Sequence, residues 1–186
     1  MCEDALTLHQ QTGTSQVIGG GARYAEDKII QHDGCGEVVI QDFYADTFGK
    51  VYRLVLLLIL SSSYPRPVIP SSFSFVFFSF FAFCCFYLGG ASNQLNHRCS
   101  SCGNCKKQCK RDVKISGVIA KNGKWLAGAN SNYGDTVVIK KTCAQNVKKI
   151  CSSFMGNTNG KEPAELTTGP DDKVCLYNTS DISSNC

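Results

Sequence analysis

Three cations and three carboxylates in the first part of this chain have types and spacings that could act on an acidic substrate. Lys28 and Lys50 lie 22 residues apart, and Arg53 follows Lys50 by three. Glu3 and Asp4 are adjacent acids, and Asp27 stands directly before Lys28. A lysine near other cations and partly buried loses some of its hold on a proton, which turns a group protonated at neutral pH into a usable base. Arginine offers a permanently charged planar fork for carboxylates. Acids gathered from irregular segments can supply the oxygen donors of a hard cation such as calcium. Scattered over a surface, the same six residues would be solvated charges and nothing more, so the question is what gathers them.

The spacing itself points to the scaffold. Twenty-two residues is about one turn of a parallel β-helix, in which each coil stacks on the last and repeats its side-chain positions. Short β-rich runs bounded by Gly, Asp or Asn occur at 5–8, 16–18, 28–31, 37–40 and 51–52. Val17 and Val39 are also 22 apart, so two strand series share one period. The rhythm continues at 113–115, 125–127, 137–139 and 147–151, with a spacing of 24 between the first and third of these runs. The expected fold is all-β: a right-handed parallel β-helix, incomplete at the N-terminus. On it Lys28 and Lys50 stack on one face, with Arg53 a few residues along the same rung. Residues 161–186 lack periodicity and are expected to pack along the stack as a tail held by Cys175 and Cys186.

One stretch breaks the pattern. Residues 54–60 are wholly apolar, 61–70 contain three prolines, and 71–88 are 18 uncharged residues rich in Phe. The last run sits at the short edge of a membrane span. Against a membrane anchor stands foreign sequence, most simply translated intron. Removing 54–100 joins Tyr52-Arg53 to Ser101-Cys102-Gly103 and restores the β pattern. The expected organisation is therefore one β-helix domain made of 1–53 and 101–186, with 54–100 inserted and no membrane partner.

Composition narrows the remaining classes. The chain has 186 residues and a net charge of +4 with cations and acids interspersed, which excludes a basic nucleic-acid-tracking block. Twelve cysteines point to disulfides and an extracellular compartment. The run Cys99, Cys102, Cys105 and Cys109 lacks the paired spacing of zinc ligands, and the histidines are only His9, His32 and His97. An N-glycosylation sequon at Asn178-Thr179-Ser180 agrees with secretion. No signal peptide precedes Cys2, which leads us to expect a truncated N-terminus. Walker, dinucleotide, nucleophile-elbow and metalloprotease motifs are absent. Lys110-Arg111 adds charge whose plain reading is solvation. Phe43, Tyr44, Phe48 and Tyr52 read as stack filling, and Asn130, Asn132 and Asn146 as polar turn positions.

The residues together closely resemble the fungal-type pectate lyases of polysaccharide lyase family three. The resemblance runs through residues 2–8, 27–34, 42–44 and 48–53, then 101–105, 132–136, 160–163 and the cysteine-terminated tail, about three quarters of the chain. It implies a secreted, disulfide-bonded, monomeric parallel β-helix that needs Ca2+ and cleaves de-esterified pectin, polygalacturonate, by β-elimination. The family's essential acid before its A-L-T-L strand matches Glu3, with Asp4 beside it. Its D-K pair matches Asp27 and Lys28, and the cations of G-K-x-Y-R match Lys50 and Arg53. Three departures stand out. Upstream coils and the partner of Cys2 are missing, and the insertion falls directly after Arg53. In addition, Cys35 and Cys109 occupy places that resemble a Gly and a Tyr in the family, where they either pair or stay free.

The reaction implied takes the C5 proton of a galacturonate unit. Lys28 is the expected base, Lys50 the ligand of a substrate carboxylate, and Arg53 the group that holds a carboxylate as charge develops. Glu3, Asp4 and Asp27 are the expected Ca2+ ligands. The rival readings are a non-catalytic polysaccharide-binding β-helix, a membrane-anchored surface protein, and a chain whose Phe-rich segment and uncapped coils prevent folding.

Overall fold

In the computed structural model, residues 2–53 and 108–186 are described, with side chains from Ala5 onward. Short strands β2 (Thr14–Ile18), β4 (Gly36–Gln41), β6 (Arg111–Ser116) and β8 (Thr136–Lys140) alternate with long strands β3 (Gly21–His32), β5 (Tyr44–Arg53), β7 (Ile119–Asn130) and β9 (Thr142–Met155). Strand β1 (Cys2–Leu8) comes before them. Short strands pair in parallel only with short ones and long with long, in the orders β2-β4-β6-β8 and β1-β3-β5-β7-β9. Each short–long pair is thus one coil, and the chain is a parallel β-helix, as its periodicity led us to expect.

Apolar residues at every second position fill the short strands. Val38, Ile40, Val113, Ile115, Val137 and Ile139 are all buried and meet a second layer that includes Ala25, Ile30, Val51, Tyr52, Leu126 and Ala127. Two columns of left-handed residues turn each coil. Gly19, Asp42, Gly117 and Lys141 make the corner from short to long strand, and Tyr24, Thr47, Asn122 and Asn146 bend the long strand. Asparagine tolerates this conformation better than most residues. Here it also links coils: Asn146 Nδ2 donates to Asn122 Oδ1 at 3.2 Å, and Asn122 Nδ2 donates to Asp46 Oδ1 at 2.9 Å.

The tail adds strands as well as covering the stack. β10 (Ala164–Thr168) pairs antiparallel with β9, while β11 (Cys175–Leu176) and β12 (Ile182–Ser183) extend β8 and β9 in parallel. Disulfides Cys151–Cys175 and Cys143–Cys186 tie it down. A third disulfide joins Cys35 to Cys109, which settles that pair as bonded.

Strand β5 pairs with β7 and β4 with β6, so the chain on either side of 54–107 stacks as neighbouring coils. The apolar stretch 54–100 and the candidate membrane span 71–88 lie outside the described residues. Among the described residues no helix is long and apolar enough to cross a membrane.

The spacing of 22 needs one correction. Val17 pairs with Ile40 and Gln16 with Val39, so this coil is 23 residues long in the short-strand sheet. Ala25 and Phe48 keep that spacing, whereas Lys28 and Lys50 do not. A β-bulge between Ala25 and Lys28 puts one extra residue in β3 and shortens the spacing to 22.

Candidate active site

That bulge builds the cation cluster. It sets Glu26 and Asp27 against the single residue Gly49. A Cβ at position 49 would lie 2.3 Å from the Asp27 carbonyl oxygen and 2.5 Å from that of Glu26. Only glycine lets β5 pass so close. The Asp27 carboxylate then reaches both neighbouring lysines: Lys50 Nζ donates to Oδ1 at 2.7 Å, and Lys28 Nζ pairs with Oδ2. Burial pushes the Asp27 pKa up, but the bonds from Lys28 and Lys50 outweigh it and hold the carboxyl below its ordinary value. Burial lowers the Lys50 pKa, with Arg53 and Lys28 adding to the effect and Asp27 opposing it.

Asp27, Lys28 and Lys50 are therefore brought together as expected. Arg53 lies further along the same strand and pairs with Glu162, with its guanidinium carbon 4.6 Å from the centre of the Phe154 ring. Its side chain is 8% exposed. Glu162 is 109 residues away in sequence, so no spacing could have announced it. Asp4 is the register partner of Lys28, and Glu3 precedes it on β1. The backbone thus sets the three acidic residues on two adjacent rungs. The donor types, all carboxylate oxygens, suit a hard cation. Among the described residues no group of three acids, cysteines or histidines is placed to hold a metal ion.

Sequence reasoning stopped one step short along this row. Lys50 pairs in register with Trp125, and Trp125 with Lys149. Lys50 Nζ lies 5.6 Å and Lys149 Nζ 4.9 Å from the indole centre. The separation of 24 between Trp125 and Lys149 was a usable signal, since other rungs share it. Side-chain exposure rises along the row, from 2% at Lys28 to 13% at Lys50 and 34% at Lys149.

A different set of charges lies where the long strands end and the next short strands begin. His32 Nδ1 lies 2.8 Å from the Tyr52 hydroxyl, and both residues are buried. Arg111 is 1% exposed, so the expectation that it is solvated fails. Its Nε donates to the Gly34 carbonyl at 2.6 Å and its Nη1 to that of Cys109 at 3.1 Å, which straps it to the Cys35–Cys109 disulfide. Asp135 accepts from the backbone N–H groups of Arg111 and Asn130 at 2.9 and 3.0 Å. Burial raises its pKa to about 6 despite those bonds. Burial, helped by Arg111, lowers the His32 pKa to about 4.

Fold and site together define a parallel β-helix that carries two lysines bridged by a carboxylate. The Pectate lyase family model matches residues 1–55 and 91–161, and the chain belongs to that family. It is 42% identical over 188 residues to pectate lyase E of Emericella nidulans, covering 100% of this chain and 54% of that protein. Against the probable pectate lyase D of Aspergillus fumigatus the identity is 38% over 187 residues, covering 100% of this chain and 57% of the relative. The chain thus spans about half the length of these relatives. Its fold is similar to the catalytic domain of pectate lyase PelI from Erwinia chrysanthemi, with a TM-score of 0.63 and 22% identity over 98% of this chain and 67% of that one. A second PelI structure, in complex with tetragalacturonic acid, gives a TM-score of 0.60 with 19% identity, over 98% of this chain and 54% of that one.

Proposed function

We propose that this chain carries the site of a secreted, monomeric pectate lyase that cleaves α-1,4-linked polygalacturonate by β-elimination. The observation that supports this best is the Asp27 bridge between Lys28 and Lys50, a pair of lysines kept near one carboxylate on a β-helix face. Lys28 takes the C5 proton, and Lys50 binds a substrate carboxylate. Arg53 exchanges Glu162 for a second carboxylate and steadies the charge that grows as the C5–H bond breaks. Electrons from that bond form the C4–C5 double bond as the C4–O bond breaks and the leaving oxygen takes a proton from water, giving a 4,5-unsaturated sugar and a shortened chain. Glu3, Asp4 and Asp27 would hold Ca2+, which when bound neutralises a substrate carboxylate and acidifies the neighbouring C–H. Residues 54–100 stand outside this machinery as a foreign insertion in a domain made of 1–53 and 101–186.

A second assignment has its own support. Lys50 is more exposed than Lys28, and burial lowers its pKa, so Lys50 as the base and Lys28 as the positioning cation also fits the geometry. The test is to incubate the chain, with and without residues 54–100, with polygalacturonate and to follow the ultraviolet absorbance of the unsaturated product. Calcium-dependent growth that chelator abolishes is the expected result. A folded protein that binds the polymer without releasing unsaturated product would instead be a non-catalytic polysaccharide binder.

A further inference from the structure

We propose that Trp125 and Lys149 form a binding subsite for one uronate unit, on the side of Lys50 away from Lys28. The subsite rests on the polygalacturonate reading and adds to it the part of the face that recognises the polymer beyond the reacting sugar. Lys28, Lys50, Trp125 and Lys149 occupy one register row on consecutive rungs. Rungs lie about 4.8 Å apart, so Lys50 and Lys149 are separated by roughly 10 Å with the indole between them. Both ammonium groups lie over the indole ring, so the row presents two cations backed by one aromatic ring, which matches a uronate polymer whose carboxylates recur along the chain. The indole is held in place because Trp125 Nε1 donates to Ser152 Oγ at 3.1 Å.

Lys149 already binds a carboxylate. Its Nζ donates to both Glu165 oxygens, at 2.7 and 2.6 Å, and Thr168 Oγ1 donates to Glu165 Oε1 at 2.8 Å. The same relation holds between Arg53 and Glu162, so the segment after β9 places both of its glutamates on cations of one face. A uronate carboxylate can take the place of Glu165 on Lys149 with the ionic bond conserved. A neutral sugar cannot, because it would leave the ammonium without an anion. The subsite therefore selects uronate over neutral polysaccharide, and Glu165 competes with the ligand for Lys149.

Trp125 is the only tryptophan in the chain, so a change in emission on binding arises at its ring, and the Lys149 variant tells whether Lys149 takes part. The full chain is titrated with tetragalacturonate and with a neutral tetrasaccharide, while unsaturated product is measured separately. A saturable change in emission is expected with the uronate only. Lys149→Ala should weaken the apparent affinity about tenfold, as for loss of a charge-assisted bond, and raise KM with little change in kcat. Glu165→Gln should tighten binding by about the same factor or less. Circular dichroism checks that both variants fold. Unchanged emission from a wild-type chain that still releases unsaturated product would overturn the subsite and leave the lyase reading intact. An emission change that Lys149→Ala does not shift would also overturn it. An emission change from a chain that releases no unsaturated product would keep the subsite and remove the lyase reading.

Discussion

Two groups of charges, one on the long strands and one where the long strands give way to short ones, are treated in opposite ways. On the face, Lys28, Lys50, Arg53 and Lys149 are paired with carboxylates of side chains: Asp27, Glu162 and Glu165. At the strand ends, Arg111 donates to two backbone carbonyls and Asp135 accepts from two backbone N–H groups. A side-chain carboxylate on a partly exposed face can be exchanged for a ligand's carboxylate. A backbone carbonyl inside a β-helix cannot move without the coil moving. The first group is therefore suited to chemistry and the second to fixing the stack. The difference lies in what the charges are bonded to, since the residue types overlap.

The largest effect that would test this division concerns turnover. Replacing Lys28 by Ala should lower the rate of unsaturated-product formation by about 10²- to 10⁴-fold, the range for loss of a general base, with binding of polygalacturonate largely kept. Retained turnover in this variant together with loss in Lys50→Ala would move the base to Lys50. The denaturant midpoint of Lys50→Ala should stay close to wild type, while Lys28→Ala, at a side chain 2% exposed, should lose some stability. A collapse in stability would mean that the face is structural after all.

Arg111 should behave in the reverse manner. Arg111→Met removes the bonds to the Gly34 and Cys109 carbonyls and leaves Asp135 buried without its nearby cation. We expect a loss of about 3 kcal/mol in unfolding free energy, as for two hydrogen bonds lost from a buried charged donor, measured by denaturant titration. Activity per folded molecule should change little. If Arg111→Met instead loses activity at unchanged stability, the two groups are not separable. Next in size is the Cys35–Cys109 disulfide, which closes 74 residues of sequence and should be worth about 2–4 kcal/mol. The double variant Cys35→Ser with Cys109→Ser should show that loss in the same titration, again with the face unaffected.

The sequence made the coils legible because a solenoid repeats. Lys28 and Lys50 announced themselves by their spacing, and the tail by its cysteines. The spacing of 22, however, had a cause hidden from sequence: the coil is 23 residues long until the bulge at Asp27 removes one. Periodicity found the right pair, while Gly49 and the doubled residue against it became visible only in the register. Trp125 and Lys149 were within reach of the same arithmetic, carried one coil further. Glu162 and Glu165 were not, since the segment that presents them leaves the period and β10 runs antiparallel. Arg111 was misread as solvated because a basic dipeptide beside an acid looks like a turn. Its burial depends on Gly34 and Asp135, which lie far from it in sequence.

The smallest predicted effect is a pH dependence that the wild-type protein conceals. The native pKa of His32 is about 4, below its ordinary 6.5. Between those values the unfolded state binds more protons, so this group makes stability rise with pH. The native pKa of Asp135 is about 6, above its ordinary 3.8, so between those values the native state binds more protons and stability falls as pH rises. From pH 4 to 6 the two slopes oppose each other, each at most about 1.4 kcal/mol per pH unit. Wild-type denaturant midpoints should therefore be nearly flat across that window as far as these groups are concerned. His32→Phe should expose the falling slope of Asp135, and Asp135→Asn the rising slope of His32. Because only slopes are compared, any uniform loss of stability in either variant drops out. Slopes of the same sign in both variants would mean that these two buried groups do not set the balance, and that the charges at the strand ends are as open to solvent as those on the face.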